Sequence, residues 1–418
     1  MFLIYDLVFI LFMLVSLPVY LFKRKFHRGF LRRFGVIPKE VRFNSPIWVH
    51  AVSVGEAISV RGLIEELRKI YPSKNFVIST VTPTGNKIAR SIAGESDFVT
   101  YLPFDISFIT SRVIKKIKPS IFIIAETELW PNLIESLNRH KISIAVLNAR
   151  ISDASFKGYS AIKYLIKPTL NKINIFCAQS KGDSFKLTAL GVMPDRVEVT
   201  GNMKFDQNIK LPQDAKGYRG LLGLKEGEAL LVAGSTHPAE EETLLGAYHE
   251  LLISFPHLRL LLAPRHPERS DEVNNLVNHS GFAPQKVSEL NFKRPCSNAV
   301  FILDTVGNLT KFYSAADIVF VGGSLVRKGG HNILEPAFLN KPVVFGPHMF
   351  NFRDIAHEFL SNHAALQVFS REGLISAIKE LLCNAFKTNS LVKNAQVVIL
   401  NNRGATNKNV ALIRKLIV

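Results

Sequence analysis

Between residues 46 and 207, short unbroken apolar runs alternate with stretches whose apolar positions recur every three or four residues. The runs at 46–50, 75–80, 97–102, 120–125, 142–147, 173–178 and 196–200 are rich in Val, Ile and Phe. Most show no apolar/polar alternation, the pattern of strands buried on both faces. Helical spacing lies between them, as from Ile106 through Ile117. This repetition predicts a parallel, doubly wound α/β sheet. A second series follows, with strands at 229–233, 258–263, 300–303, 317–321 and 342–345. Between the two series, residues 208–225 mix Pro212, Gly217, Gly220 and Gly223 with charges and read as a linker. Residues 365–418 read as helices with a basic end. The pattern divides the chain into an N-terminal segment, 1–34, a first Rossmann-like domain, 35–207, and a second, 208–418.

The N-terminal segment has its own pattern. Leu7 to Phe22 carries no charge, and Lys23, Arg24, Lys25, Arg28, Arg32 and Arg33 follow. A secretory signal has its positive charge before the apolar core, the reverse of this order. Positive charge stays on the cytoplasmic side of a membrane, so residues 1–22 read as an anchor helix and the body as cytoplasmic. The run is near the lower limit for a full span and contains Pro18, so a helix lying in the interface competes with a spanning one. A buried core helix is the purely structural alternative.

Polar residues cluster where strands end. Glu56 opens helical spacing just past the strand at 46–50, after Ser53, Val54 and Gly55. Open parallel sheets bind ligands at such strand ends, yet an acidic residue in a first turn also suits the helix dipole. The fourth strand runs into Glu126-Thr127-Glu128, and the seventh into Gly201-Asn202-Met203-Lys204. Lys204 is either an ordinary surface lysine or a cation for a phosphate or carboxylate. The chain has no Asp-x-Asp and no nearby histidine pair at ligand spacing, so no metal is expected.

In the second series, Pro264-Arg265, Asp304 to Asn308 and Val321-Gly322-Gly323 lie at strand ends. Gly329-Gly330 lead into Asn332, Ile333, Leu334 and Glu335. Asn332 and Glu335 are spaced like a capping box. Glycines, a helix start and Arg265 together favour a nucleotide. No GxxxxGK[ST] or GxGxxG occurs, which argues against a P-loop ATPase or a standard dinucleotide binder.

Composition narrows the partners. The 52 Lys and Arg against 34 Asp and Glu leave a net charge of +18, which favours an anionic partner. No aromatic/basic motif supports nucleic acid. An anionic membrane surface or a phosphorylated substrate remains. Three widely separated cysteines form no disulfide framework, consistent with a reducing compartment.

The segments HAVSVGE (50–56), TPTG (82–85), ETELWPN (126–132), NAR (148–150), TGNMKFD (200–206), PRHPER (264–269), VGGSLV (321–326), GGHNILEPA (329–337) and FGPHMFNF (345–352) stand in an order that resembles the 3-deoxy-D-manno-octulosonic acid (Kdo) transferases of lipid A and lipopolysaccharide biosynthesis. The resemblance covers almost the whole chain. It implies a GT-B glycosyltransferase, with two Rossmann-like domains facing a cleft, at the cytoplasmic side of the cell inner membrane. It implies transfer of Kdo from CMP-Kdo to the lipid A precursor, lipid IVA, with release of CMP and without a cofactor. Glu56 falls on the family's general base, and Glu126 and Lys204 fall on positions that assist the transition state. Pro264, Arg265, Val306, Gly307, Asn308, Asn332, Ile333, Leu334 and Glu335 fall on the CMP-binding segments. Asn308 stands where relatives often carry an acidic residue, which puts a role for that side chain in doubt. Two alternatives remain open: a GT-B enzyme using a UDP-sugar, of the lipid disaccharide synthase or epimerase type, and a non-catalytic, membrane-tethered two-lobed binding protein.

Overall fold

The computed structural model describes residues 5–11, 13–15, 29–207, 214–290 and 298–417. The chain divides into two compact units, Met1–Asn208 with Asn402–Val418, and Ile209–Asn401.

The first unit holds a seven-stranded sheet: β1 (Ile47–His50), β2 (Phe76–Thr80), β3 (Phe98–Tyr101), β4 (Ile121–Ala125), β5 (Ser143–Ala149), β6 (Ile175–Ala178) and β7 (Val197–Val199). Their order is β3-β2-β1-β4-β5-β6-β7, and every pairing is parallel. All seven expected strands are present. Their lack of alternation has the anticipated cause. Ile47, Val49, Ile121 and Ile123 pack with Leu63, Ile64 and Leu67 on one face, while Trp48, Phe122 and Ile124 pack with Ile114, Leu133 and Leu137 on the other. The order reverses between β1 and β4. A crevice therefore opens at their carboxyl ends, because the connections leaving these two neighbours run to opposite sides.

The second unit repeats the plan with β8 (Ala229–Thr236), β9 (Leu258–Pro264), β10 (Ala283–Lys286), β11 (Ala299–Ile302), β12 (Ile318–Val321), β13 (Val343–Phe345) and β14 (Leu366–Gln367). The order is β10-β11-β9-β8-β12-β13-β14, with the reversal between β8 and β12. β10 and β14 were not expected. Both are edge strands, only half-buried, and β10 reads Ala-Pro-Gln-Lys, with no apolar run to reveal it.

Two expected boundaries are corrected. The stretch 208–225 is not linker throughout. Asp214 caps a helix over Ala215–Leu221, accepting from Gly217 N at 2.7 Å, and Arg219 reaches Ala315 O and Asp317, both at 2.9 Å. Nor does the second domain run to 418. The helix Ala405–Arg414 buries Ala405, Val410 and Ile413 in the first unit's core. Asp206 clasps its start, accepting from Gly404 N at 2.7 Å and Thr406 N at 2.6 Å. Nothing in a short amphipathic pattern says which sheet the helix covers.

Residues 5–11 and 13–15 are helical. Phe9 and Met13 pack with Phe30 against Phe104, Ile106 and Ile109. The other side leaves Leu7, Val8, Leu11, Leu14 and Val15 each 59–70% exposed. This helix is neither a core helix nor a bare tether, since one face docks on the first unit and the other is apolar and uncovered. Among the described residues, no helix is long and apolar enough to cross a membrane. Pro18 and Lys23 to Arg28 lie outside the described residues.

Candidate active site

β1 ends at His50, whose ring is buried beside Ser79, with Nδ1 3.0 Å from Ser79 Oγ. Burial lowers the His50 pKa to about 4, so this histidine is a neutral part of the sheet. The chain then turns into a helix over Val54–Ser59. Ser53 is its N-cap and Glu56 its third residue. Ser53 Oγ accepts from Glu56 N at 3.4 Å and donates to Glu56 Oε1 at 2.8 Å, while Val52 N donates to Glu56 Oε2 at 2.7 Å. This is a variant of the capping box in which the carboxylate accepts from Val52 N rather than from the N-cap N–H, so the structural role of Glu56 is realised. It does not exhaust the carboxylate, which has four lone-pair sites and here fills two. TPTG supports the same loop. Thr82 caps the helix Pro83–Ile92, and its hydroxyl also donates to Val52 O at 3.3 Å. A Cβ on Gly85 would stand 3.2 Å from that carbonyl.

Glu126 follows β4 directly, with φ +59°. A non-glycine residue pays for this left-handed backbone, so the surroundings must hold it there. Glu126 N donates to Leu147 O at 2.8 Å. Lys204 Nζ donates to Glu126 Oε1 at 3.2 Å. Lys204 lies in a short helical turn, Met203–Asp206, pinned by Asn148 Oδ1 accepting from Met203 N at 3.0 Å. The switch point thus gathers Glu56 from β1, Glu126 from β4 and Lys204 from the segment after β7. Burial raises the Glu56 pKa, and the Glu126 charge adds to this.

Glu128 is a residue the sequence reading did not select. Burial, then the charges of Glu56 and Glu126, push its pKa up to about 7. The hint in the sequence is its place beside Glu126 at the end of the fourth strand. Among the described residues, no group of three His, Cys, Asp or Glu is arranged to hold a metal. Because the folded pKa is raised, the native state holds a proton that the unfolded chain releases near 4.5. Stability from this proton is full below about 4.5 and lost as pH rises through about 7. Glu128→Gln should therefore flatten that pH dependence and raise stability at pH 8 by about 1 kcal/mol, allowing for solvent screening of a half-buried group. Urea midpoints of both proteins at pH 5 and pH 8 check this.

In the second unit, the expected donor-site residues stand at neighbouring strand ends. Pro264 closes β9 and Arg265 N donates to Thr236 O, at the end of β8, at 2.9 Å. The Arg265 side chain is exposed. Val306, Gly307 and Asn308 follow β11. Val306 is exposed, Gly307 has φ +84°, and Asn308 Nδ2 donates to Thr305 Oγ1 at 2.9 Å. After β12, Asn332 accepts from Leu334 N and donates to Glu335 Oε1, both at 3.1 Å. The N-cap is Ile333, one residue later than a capping box requires, so the Asn332–Glu335 contact is side chain to side chain. Burial raises the Glu335 pKa, with the Arg265 charge opposing it.

Two further features escaped the sequence reading. Glu240, buried, accepts from His237 N at 3.0 Å, Gly323 N at 2.6 Å, and Ser324 N and Leu325 N at 2.9 Å each. It shapes the glycine turn after β12. Gly322 is needed there, because a Cβ would stand 2.5 Å from Ser235 O. Glu240→Ala leaves four N–H groups without this acceptor and should cost about 2–4 kcal/mol, read as a lower denaturation midpoint. His237 and His331 face each other, Nε2 to Nε2 at 2.9 Å, with burial lowering both pKa values. One neutral ring donates to the other. No periodicity links a carboxylate to three amides 83 or more residues away, or pairs two distant histidines.

The family model described as 3-deoxy-D-manno-octulosonic-acid transferase (kdotransferase) matches residues 28–207. A 3-deoxy-D-manno-octulosonic acid transferase of Haemophilus influenzae is 36% identical over 88% of this chain and 86% of its own length. One from Rickettsia felis is 33% identical over 91% of this chain and 82% of its own. Among solved structures, a glycosyltransferase from Rickettsia africae superposes with a TM-score of 0.58 at 15% identity, covering 90% of this chain and 99% of that one. That likeness concerns the fold alone: two parallel-sheet α/β domains of the GT-B kind.

Proposed function

The chain belongs to the 3-deoxy-D-manno-octulosonic acid (Kdo) transferase family, and on that premise we propose that it moves Kdo from CMP-Kdo to the lipid A precursor lipid IVA, releasing CMP. The observation that carries the mechanistic part is the meeting of Glu56, Glu126 and Lys204 at the switch point of the first sheet. A sugar hydroxyl is a poor nucleophile and needs a base within hydrogen-bond reach. Glu56 accepts the hydroxyl proton as the oxygen bonds to the anomeric carbon of Kdo. The bond from that carbon to the CMP phosphate oxygen breaks, and CMP leaves with the electron pair. Burial raises the Glu56 pKa, which makes its carboxylate a stronger base than an ordinary one. Lys204 and Arg265 supply positive charge to a donor that carries both a phosphate and a carboxylate. The second unit binds the CMP moiety through Arg265, the 306–308 turn and the 332–335 segment. No resident metal enters this scheme.

We place the enzyme at the cytoplasmic side of the inner membrane. The uncovered apolar face of Leu7, Val8, Leu11, Leu14 and Val15 supports contact with lipid, and the following basic residues support an anionic surface. A helix lying in the interface suits this geometry better than a spanning one.

The test is incubation of the purified enzyme with CMP-Kdo and lipid IVA, with and without EDTA, and products counted by mass. Kdo-bearing lipid and equimolar CMP are expected in both. Turnover of a UDP-sugar instead, with none of CMP-Kdo, would overturn the donor assignment.

A further inference from the structure

Asp6 is the single acidic residue of an otherwise apolar stretch, and it does not face solvent alone. Its Oδ1 accepts from Ser107 N at 3.0 Å and from Asn132 Nδ2 at 2.6 Å, and its Oδ2 accepts from Ser107 Oγ. The neighbouring Tyr5 hydroxyl bonds the carboxyl group of Asp105. Asp105, itself buried, accepts from Asn132 N at 3.2 Å and Leu133 N at 2.8 Å, and its carbonyl accepts from Asn132 Nδ2 at 2.7 Å.

These bonds converge on one helix start. The helix Pro131–Arg139 begins with proline, which has no N–H, and its N-cap Trp130 makes no side-chain cap. The first two amides available, those of Asn132 and Leu133, are capped from outside by Asp105. Asp105 is in turn held by Tyr5, and Asn132 by Asp6. Only residues 127–130 separate this helix start from Glu126, whose left-handed backbone requires support at both ends. At its other end, Glu126 N is tied to Leu147 O.

We propose that Tyr5 and Asp6 are positioning residues for the Glu126 loop, so that the first helix is part of the active-site scaffold as well as a membrane contact. This inference rests on the reading in which Glu126 assists transfer. Displacing a reacting group by about 1 Å can cost about a hundredfold in rate without weakening ground-state binding. The helix holds the loop through hydrogen bonds that a tether does not need.

The experiment uses the full chain in detergent micelles with CMP-Kdo and lipid IVA dispersed in the same micelles, so that membrane attachment does not limit the rate. Asp6→Ala should lower kcat by about ten- to a hundredfold, with KM for CMP-Kdo within twofold of wild type. Asp6→Asn, which keeps one acceptor oxygen, should recover part of the loss. Tyr5→Phe removes a single hydroxyl and should lower kcat in the same sense, and it serves if Asp6→Ala does not fold. A purely structural role predicts a lower Tm with unchanged kcat below it. Wild-type kcat in both Asp6→Ala and Tyr5→Phe would overturn the inference. Glu126→Gln, assayed alongside, separates the two levels. Loss there with normal Asp6 and Tyr5 variants overturns this proposal only, whereas normal turnover in Glu126→Gln removes the reading beneath it.

Discussion

Glu56→Gln is expected to lower kcat by about two to four powers of ten, the usual worth of general-base catalysis. The variant keeps the size of the side chain and one acceptor oxygen, so the helix start survives. Its amide cannot take the hydroxyl proton. It also turns an N–H toward either Val52 N or Ser53 Oγ, the two donors that the carboxylate now accepts from. The expected stability cost is about 1 kcal/mol, from one weakened capping bond and the lost interaction with the helix dipole. CMP affinity should stay near wild type, since the segments proposed to bind CMP belong to the second unit. A role confined to the capping box makes the opposite forecast: the same loss of stability with near-normal turnover. Turnover and melting temperature measured on this one variant distinguish them. Near wild-type turnover would remove Glu56 as the base and leave Glu126, beside Lys204, as the next candidate.

Arg265→Ala should weaken CMP binding by about ten- to a hundredfold. A charge-assisted hydrogen bond to phosphate is worth about 1.5–3 kcal/mol, and each 1.4 kcal/mol is tenfold. The Arg265 side chain is exposed, whereas its backbone N–H ties the loop to Thr236 O, so truncation should leave the fold intact. Arg265→Lys should recover only part of the affinity, because a point charge does not replace a planar fork. Glu335→Ala should weaken CMP binding as well. Asn332 holds the Glu335 carboxylate by a side-chain bond, and the N-cap of that helix is Ile333, so helix capping does not depend on Glu335. Calorimetric titration of CMP into the three variants checks this. Unchanged affinity in both alanine variants would remove the 264–265 and 332–335 segments from the donor site.

Much of this architecture can be read from local pattern alone. The seven strands of the first sheet were visible because strands buried on both faces must be apolar throughout, and Val, Ile and Phe runs such as Ile121–Ala125 are short and bounded. The positions of Glu56, Glu126 and Lys204 at or after strand ends were visible for the same reason. What failed were elements whose sequence carries no burial signal. β10 and β14 are half-buried edge strands, and the helix Ala215–Leu221 hides among glycines.

Local pattern specifies the two doubly wound domains, their strand ends and the polar residues that sit there, because apolar periodicity is a property of neighbouring residues. Tertiary packing sets the strand orders, which bring β1 beside β4 and β8 beside β12. It alone set Lys204 against Glu126, 78 residues apart, and Asp6 against Asn132, 126 residues apart. It alone raised Glu128 to about 7, because that shift arises from burial and from two carboxylates delivered by different strands. Such effects depend on distance in space and on exclusion of water, and neither is written in the spacing of residues along the chain.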